Sequence, residues 1–385
     1  MKNKMIILYI TLELYPYAYG SGVHAYEVCR KLAEIGHKVI ILTTGDLKQA
    51  AYEKWNNIEI YRLRFPLFLY YNQLNPILFW ILGKKILNKI NADVLIGHGF
   101  ESSLFIKYSK IPIKIYKAVG TMIVQKRVRP EITWMDKVGK LGFHLNSMIE
   151  KIACIHSTRI IAISKTIKNE LIENYKINPN KVHIIYNGIN LNRFKIKNKT
   201  QNKNGNKIVL YVGRLSSIKG PQLILKIIPD IVKDYKNVRF HFIGNGPLYK
   251  YFKAISKRSP YIKIKRFIPH YNIPEIYAYS DLCIIPSYYE PFGLVALEAI
   301  ASRTPILASN VGGLSEILKG YDEDVLIPIE NLEILKNRVS SILTNDRGKI
   351  SQKKAKDFLE NNYSWKKNAI KTLKIIDMIK KKMDN

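Results

Sequence analysis

The residues best suited to chemistry lie in one block, PSYYEPFGLVALEA, from Pro286 to Ala299. Glu290 follows an apolar run, Leu282 to Pro286, that reads as a strand, and Phe292 to Val295 then turn into a helix carrying Glu298. Free backbone N–H groups at such a helix start suit an anion or a sugar hydroxyl. Two carboxylates eight residues apart, one before the helix and one two turns in, can hold two parts of one polyhydroxy ligand. Taken alone, the same pair also fits a helix-capping glutamate and a second one on a solvated stripe. His98 ends a strand in Gly97-His98-Gly99 and could contact a ligand or bond to backbone, whereas His24, one turn into a helix, reads as structural. There is no His/Cys cluster with ligand spacing, so no metal is expected. Gly20 to Ala25, GSGVHA, fits G-x-G-x-x-[GA], with Asp46 past the next strand, as a nicotinamide-dependent enzyme would need. The glycines come some ten residues after Ile10 rather than in the strand-to-helix turn, which weakens that reading.

The elements that must position these residues alternate. Met5 to Ile10 reads as a strand, Val23 to Ile35 as a helix stopped by Gly36, and Val39 to Thr43 as the next strand. Ala92 to Ile96, Ile113 to Val119 and Ile160 to Ile163 continue the strand series. The stretch from Lys195 to Lys207, KIKNKTQNKNGNK, has no apolar period and reads as a linker. The alternation then restarts: Ile208 to Val212, Arg239 to Ile243, Leu282 to Pro286 and Pro305 to Ala308 as strands, with Gln222 to Tyr235 and Leu294 to Ala301 as helices. Repeated βαβ units imply an α/β chain with parallel sheets. The expected division is residues 1–195, a linker at 196–207, a second domain at 208–365 and a basic amphipathic helix at 366–385.

The chain has 385 residues, enough for two α/β domains, and 24% charged residues, which speaks against extensive disorder. Its net charge of +32 predicts attraction to polyanions such as nucleic acid, anionic lipid or phosphorylated ligands. The same charge, spread along a chain rich in Lys, Ile, Asn and Tyr, fits an AT-rich coding sequence equally well, and no nucleic-acid motif is recognisable, so no specific nucleic acid is expected. Cys29, Cys154 and Cys283 are far apart in apolar or helical contexts and read as buried free thiols, consistent with a reducing cytoplasm. Met1 to Ile10 is too short an apolar run for a signal peptide. Phe65 to Leu82 is interrupted by Pro66, Pro76, Asn72, Gln73 and Asn75, so it reads as a loop and a helix, not a membrane span. Tyr61 to Lys89 interleaves aromatics, including Trp80, with Arg62, Arg64, Lys84, Lys85 and Lys89, and Lys126, Arg127 and Arg129 follow in another loop. Such a surface suits a peripheral enzyme on an anionic, cytoplasmic membrane face, or an ordinary helix with solvated lysines.

The block at Glu290 and Glu298 resembles the E-x7-E signature of the family-4 retaining glycosyltransferases (glycosyltransferase group 1), which have the GT-B fold. Other landmarks of that family occur in order. Gly213-Arg214-Leu215 with Lys219-Gly220 is similar to GRL-x3-KG, Asn187-Gly188-Ile189 with Phe194 to NG[IV]D-x3-F, and Gly244 to Pro247 to G-x-G-P. Gly312-Gly313 with Glu316 is similar to GG-x-x-E, and Gly36-His37 with Val39 to GH-x-V. The match runs from about residue 5 to about 365. Departures are Tyr19-Gly20 where relatives often have Gly-Gly, Asn190 for Asp, and Val119-Gly120 where a His-Gly often follows the strand.

The resemblance implies two Rossmann-like α/β domains facing each other across a cleft, and transfer of a hexose from a UDP- or GDP-linked nucleotide diphosphate sugar to a glycan or lipid-linked acceptor. No other cofactor is implied, and Arg214 and Lys219 would do the work of a metal. It implies that Arg214 and Lys219 bind the donor diphosphate, offsetting charge on the leaving group. Glu290 would accept from hydroxyls of the donor sugar, the N–H groups of Phe292, Gly293, Leu294 and Val295 would face the sugar and phosphates, and Glu298 would hold the ribose. Gly20 would bring its backbone close to the diphosphate, and His98 would contact acceptor or donor. Base recognition would come from backbone near Phe267 to His270. Front-face attack, with the leaving phosphate deprotonating the acceptor, leaves no carboxylate nucleophile to name. The rivals are another GT-B nucleotide-sugar enzyme, such as an epimerase, and a polyanion-binding protein whose site has decayed.

Overall fold

The computed structural model describes residues 4–14, 20–45, 49–64, 75–132, 134–194, 205–344 and 351–384. They form two units. One comprises 1–127, 133–188 and 365–385, the other 128–132 and 189–364. The division falls at Gly188/Ile189 rather than at the expected residue 195, and most of the expected linker lies outside the described residues.

In the first unit, apolar runs form β1 (Ile6–Ile10), β2 (Lys38–Gly45), β5 (Val94–His98), β6 (Ile113–Ala118), β7 (Arg159–Ala162) and β8 (Val182–Ile184). A hairpin of β3 (Tyr52–Trp55) and β4 (Ile58–Arg64) lies at one edge. Among the described residues the sheet has the order β3-β4-β2-β1-β5-β6-β7-β8, parallel except for the β3–β4 pair. Strands such as Ile7 to Ile10, fully buried, read as continuous apolar runs because helices cover both faces of a parallel sheet. Those helices are α1 (Gly20–Glu34), α2 (Asn75–Leu87), α3 (Ser103–Tyr108), α4 (Met122–Val128), α5 (Trp134–His156) and α6 (Lys165–Tyr175).

The second unit repeats the plan with β9 (Lys207–Val212), α7 (Pro221–Asp234), β10 (Val238–Ile243), α8 (Tyr249–Ser256), β11 (Ile262–Lys265), α9 (Ile273–Ala278) and β12 (Leu282–Ile285). It continues with α10 (Leu294–Ala301), β13 (Ile306–Ser309), α11 (Gly312–Lys319), β14 (Leu326–Ile327), α12 (Leu332–Thr344) and α13 (Gln352–Asn362). Its sheet is parallel in the order β11-β10-β9-β12-β13-β14. One apolar cluster, including Val209, Ile224, Ile228, Phe240, Phe242 and Leu307, joins the sheet to α7 and α12.

The last helix, α14 (Trp365–Asp384), belongs to the first unit and packs on α1. Its apolar stripe at Trp365, Ala369, Leu373, Ile376 and Ile379 has the three-to-four spacing of one helix face. The basic residues occupy the other face. The amphipathic helix expected here is therefore an integral layer of the first unit rather than a separate element.

The strand order sets where a ligand can sit. In each sheet the winding reverses once, between β1 and β5 in the first unit and between β9 and β12 in the second. Loops leaving adjacent carboxyl ends in opposite directions open a crevice at that point. Both candidate sites lie there.

Candidate functional site

In the second unit, β9 delivers Arg214 and Lys219, and β12 delivers Glu290. The turn after β9 is pinned by its own backbone: Gly213 N–H donates to Ile243, Leu215 N–H to Asn245 and the Tyr211 hydroxyl to the Arg214 carbonyl. A 3-10 turn, Ser217–Lys219, then ends at Gly220, whose φ is +68°. A Cβ on Gly220 would stand 1.8 Å from the Pro286 carbonyl oxygen, so only glycine lets this turn press against the end of β12. That approach seats Lys219 beside the next loop. Its ammonium is 2.8 Å from Glu290 Oε2 and donates to the Tyr289 carbonyl at 3.3 Å. Both partners are partly exposed, so the pair stays open to a ligand.

Pro291 and Phe292 lead into α10, whose first-turn N–H groups have no intrahelical acceptor. The loop is held by Gly313 N–H donating to the Glu290 carbonyl at 2.8 Å. Phe292 is buried and stacks edge-on against Tyr363. Glu298, in the second turn of α10, accepts a hydrogen bond from the Tyr277 hydroxyl at 3.0 Å. Burial pushes its carboxyl up to about 7, against the lowering effects of the Tyr277 bond and the Arg193 charge. Tyr277 and Arg193 are site residues that sequence reading did not single out. They come from α9 and from a 3-10 turn at Leu191–Phe194, and no local motif ties either to Glu298.

The structure thus brings Arg214, Lys219, Glu290, the 292–295 backbone and Glu298 to the winding reversal of one unit. The remaining expected site residues, Gly20 and His98, belong to the other unit. Gly20 is the first residue of α1. The nicotinamide alternative needs a glycine-rich turn directly after β1, whereas β1 ends at Ile10 and α1 starts at Gly20; Asp46, its ribose partner, lies outside the described residues.

His98 closes β5 and is buried. Its Nδ1 is 2.9 Å from the Tyr9 hydroxyl and its Nε2 3.0 Å from the Ser21 hydroxyl. Burial, helped by the charge of Lys117, pulls the ring down to about 3, so it is neutral at physiological pH. His24 packs edge-on to His98 and stacks on Trp365, which fits its structural reading. Around His98 is a pocket of about 180 Å³, formed by the loops after β1, β5 and β6 and the start of α1. Glu13, Ser21, Glu101 and Gln125 line it with His98, and Val119 and Met122 close one side. Glu101 was not singled out from the sequence; its only signal is its place three residues past the end of a strand at the winding reversal.

Cys29, Cys154 and Cys283 are free and buried. Among the described residues, no helix is long and apolar enough to cross a membrane, and no group of three His, Cys, Asp or Glu is placed to hold a metal ion. Arg62, read as part of a basic surface, is instead buried and ion-paired to Glu53 at 2.8 Å across the β3–β4 hairpin, and Lys126 and Arg127 lie in helix α4, not in a loop.

The family model for Glycosyltransferase Family 4 matches residues 18–193, and that for glycosyl transferases group 1 matches residues 192–365. An uncharacterized glycosyltransferase of Methanocaldococcus jannaschii, MJ1607, is 27% identical, over 96% of this chain and 97% of its own. The GPI3 subunit of phosphatidylinositol N-acetylglucosaminyltransferase of Saccharomyces cerevisiae is 23% identical, over 94% of this chain and 80% of its own. Among solved structures, sucrose-phosphate synthase from Thermosynechococcus elongatus superposes with a TM-score of 0.81 at 20% identity, covering 98% of this chain and 99% of the other. Anabaena HepE in complex with UDP-glucose superposes with a TM-score of 0.74 at 18% identity, covering 97% and 100%. These likenesses show the GT-B fold, with its two parallel-sheet α/β domains.

Proposed function

This chain belongs to the family-4, group 1 glycosyltransferases, and on that premise we propose that it moves a hexose from a nucleotide diphosphate sugar to a glycan or lipid-linked acceptor with retention at the anomeric carbon. The observation that carries the reading is the Lys219–Glu290 pair, made between the turns that follow β9 and β12, with Arg214 on the first turn and Glu298 in α10. A cation and an acid held 2.8 Å apart form a partly exposed ion pair that a ligand's phosphate and hydroxyl groups can enter. Lys219 and Arg214 then take the diphosphate, Glu290 the sugar hydroxyls, the N–H groups of Phe292 to Val295 the sugar and phosphates, and Glu298 the ribose. A UDP-linked donor is favoured because HepE was solved with UDP-glucose.

In the reaction, the bond from the anomeric carbon to the diphosphate oxygen breaks and a bond to the acceptor oxygen forms on the same face. The acceptor proton passes to the departing phosphate oxygen. Positive charge from Arg214 and Lys219 stabilises that leaving group, an electrostatic role that in other transferases falls to a divalent metal. His98, neutral and bonded through both nitrogens, orients Ser21 and the pocket wall and takes no proton. The polyanion-binding rival has no support from this arrangement, since the acids and cations expected of a working site are all present.

The membrane face is part of the proposal. Helix α3 packs against α2 and α5, and these helices expose Ile81, Leu82, Tyr108, Leu145, Met148 and Ile155. Lys84, Lys85 and Lys151 accompany them, and Lys107 lies over the Tyr108 ring. Apolar and basic side chains together suit an anionic cytoplasmic leaflet and hence a lipid-linked acceptor.

Titration calorimetry with UDP- and GDP-sugars tests the donor reading. Binding of one of them, lost in Glu290→Ala and Arg214→Ala, supports it; tight binding of double-stranded DNA with no nucleotide-sugar binding refutes it. Chelation with EDTA should leave transfer unchanged.

A further inference from the structure

One loop of the second unit holds a backbone conformation that its residue type disfavours. Among the described residues, the non-glycine positions with positive φ are Asn56, Lys176, Arg303 and Glu330. Asn56 turns the β3–β4 hairpin, and Lys176 and Arg303 end α6 and α10. Glu330, at φ +64°, lies instead between β14 and α12, just before Asn331, whose side chain caps α12 by accepting from the Ile334 N–H at 3.0 Å. A left-handed conformation suits glycine, whereas a Cβ strains it. Glu330 is exposed, so packing does not demand a long side chain there.

What the side chain does is visible at its tip. Glu330 Oε1 accepts a hydrogen bond from the Tyr288 hydroxyl at 2.6 Å. The Gln222 side chain reaches the same hydroxyl, and its Nε2 donates to the Ser217 carbonyl at 2.9 Å. The Tyr288 N–H donates to the Ile218 carbonyl, again at 2.9 Å. Tyr288 therefore meets the Ser217–Lys219 turn through its backbone and through Gln222, while Glu330 holds its hydroxyl from the other side. Lys219 ends that turn, and Glu290 follows Tyr288 by two residues, so these bonds tie together the segments that carry the 2.8 Å ion pair. Burial, then the bond and charge of Glu330, push the Tyr288 hydroxyl above its usual 10, which keeps it a donor.

We propose that Tyr288 and Glu330 are positioning residues for donor binding: through one hydrogen bond they fix the Lys219 turn against the Glu290 loop. The proposal rests on the reading of Lys219 and Glu290 as donor ligands and adds two residues that act through them. Glycine would relieve the backbone at position 330, but it has no carboxylate with which to hold the tyrosine. Strain of this kind is kept where the side chain has a task that the easier residue cannot perform. The bond itself lies at the surface and adds little to overall stability. Its effect is on geometry. Without it the Tyr288 ring can drift, the turn can follow, and a displacement of about 1 Å is enough to weaken an oriented contact to a ligand.

The experiment is titration calorimetry on the full chain with UDP-glucose and GDP-glucose, paired with melting temperatures. Tyr288→Phe and Glu330→Ala should each weaken binding about fivefold, the size of one hydrogen bond. The double variant should lose no more than either single one, because the two side chains act through the same bond. Glu330→Gln keeps an acceptor and should recover most of what Glu330→Ala loses. Glu330→Gly should melt above Glu330→Ala, since only glycine sits in this conformation without strain, yet bind the sugar nucleotide as weakly. A merely structural role would make affinity follow melting temperature across the series, and that result overturns the proposal. So do additive losses in the double variant. Binding by the native chain that neither single substitution weakens defeats the positioning role alone. Failure of the native chain to bind either sugar nucleotide defeats the donor reading and takes the positioning role with it.

Discussion

Glu298 offers a direct test of donor binding, because burial leaves its carboxyl ionising at about 7 while Tyr277 and Arg193 favour the charged form. If it grips the ribose as a carboxylate, binding demands that the proton leave. A group titrating at 7 is ionised in about one molecule in eleven at pH 6 and about ten in eleven at pH 8. Affinity for a nucleotide sugar should then rise about tenfold across that window, or roughly 1.4 kcal/mol. The donor's two phosphates are diesters with no proton to release there, so the slope belongs to the protein. The assay is calorimetry with UDP-glucose at pH 6, 7 and 8 at fixed ionic strength. Glu298→Gln should bind more weakly at pH 8, by about the 1.5–3 kcal/mol of a charged hydrogen bond, and its affinity should be flat with pH. A flat profile for the native chain, or a tenfold slope that persists in Glu298→Gln, would refute the assignment.

Other predictions concern the framework. Glu150 is fully buried, accepts from the Tyr116 and Tyr175 hydroxyls and from the Met122 N–H, and ionises at about 7 instead of its ordinary 4.5. Below 4.5 both folded and unfolded chains hold the proton. Between 4.5 and 7 the unfolded chain releases it first, so the native chain should lose about 3 kcal/mol as pH rises through that window and no more above it. Glu150→Gln should flatten that limb in urea melts taken at pH 5 and 8. Gly220→Ala places a methyl on the Pro286 carbonyl, so it should lower the thermal midpoint and weaken nucleotide-sugar binding by moving Lys219. Ile376→Ala, in the fully buried stripe of α14, should cost about 2–5 kcal/mol in denaturant melts by opening a cavity in the first unit. Ile81→Asp with Leu82→Asp should reduce flotation with phosphatidylglycerol vesicles and leave calorimetric donor binding unchanged.

Much of this architecture is legible in the residues. Runs such as Ile208 to Val212 and Leu282 to Ile285 are apolar at every position because both faces of their sheet are covered, and Gly36 and Gly220 mark real turns. The E-x7-E block lies where its residue types suggest, with Glu290 in the loop between the end of β12 at Ile285 and the start of α10 at Leu294. Less regular features escape. The β3–β4 hairpin turns at Asn56, φ +51°, within only four residues of strand on one side, and its aromatic and charged alternation resembles a basic surface until Glu53 and Arg62 are seen to pair. Tyr277 and Arg193 meet Glu298 from 21 and 105 positions away, and local spacing carries no trace of such a meeting. The apolar stripe of α14 says that the helix must cover something. It does not say that the cover lies on α1, more than 300 residues earlier.

That return of α14 bears on how the protein is made. The first unit's residues up to 188 leave the ribosome with the outer side of α1 still bare, since Trp365, Leu373 and Ile376 have not been synthesised. At about 5–20 residues per second, the wait for α14 lasts roughly ten to forty seconds. During that interval the second unit, which needs nothing from the other segments beyond 128–132, has its own chain complete and can collapse first. Folding order can thereby run against synthesis order, and a nascent chain stalled before residue 365 leaves uncovered the part of α1 on which α14 packs.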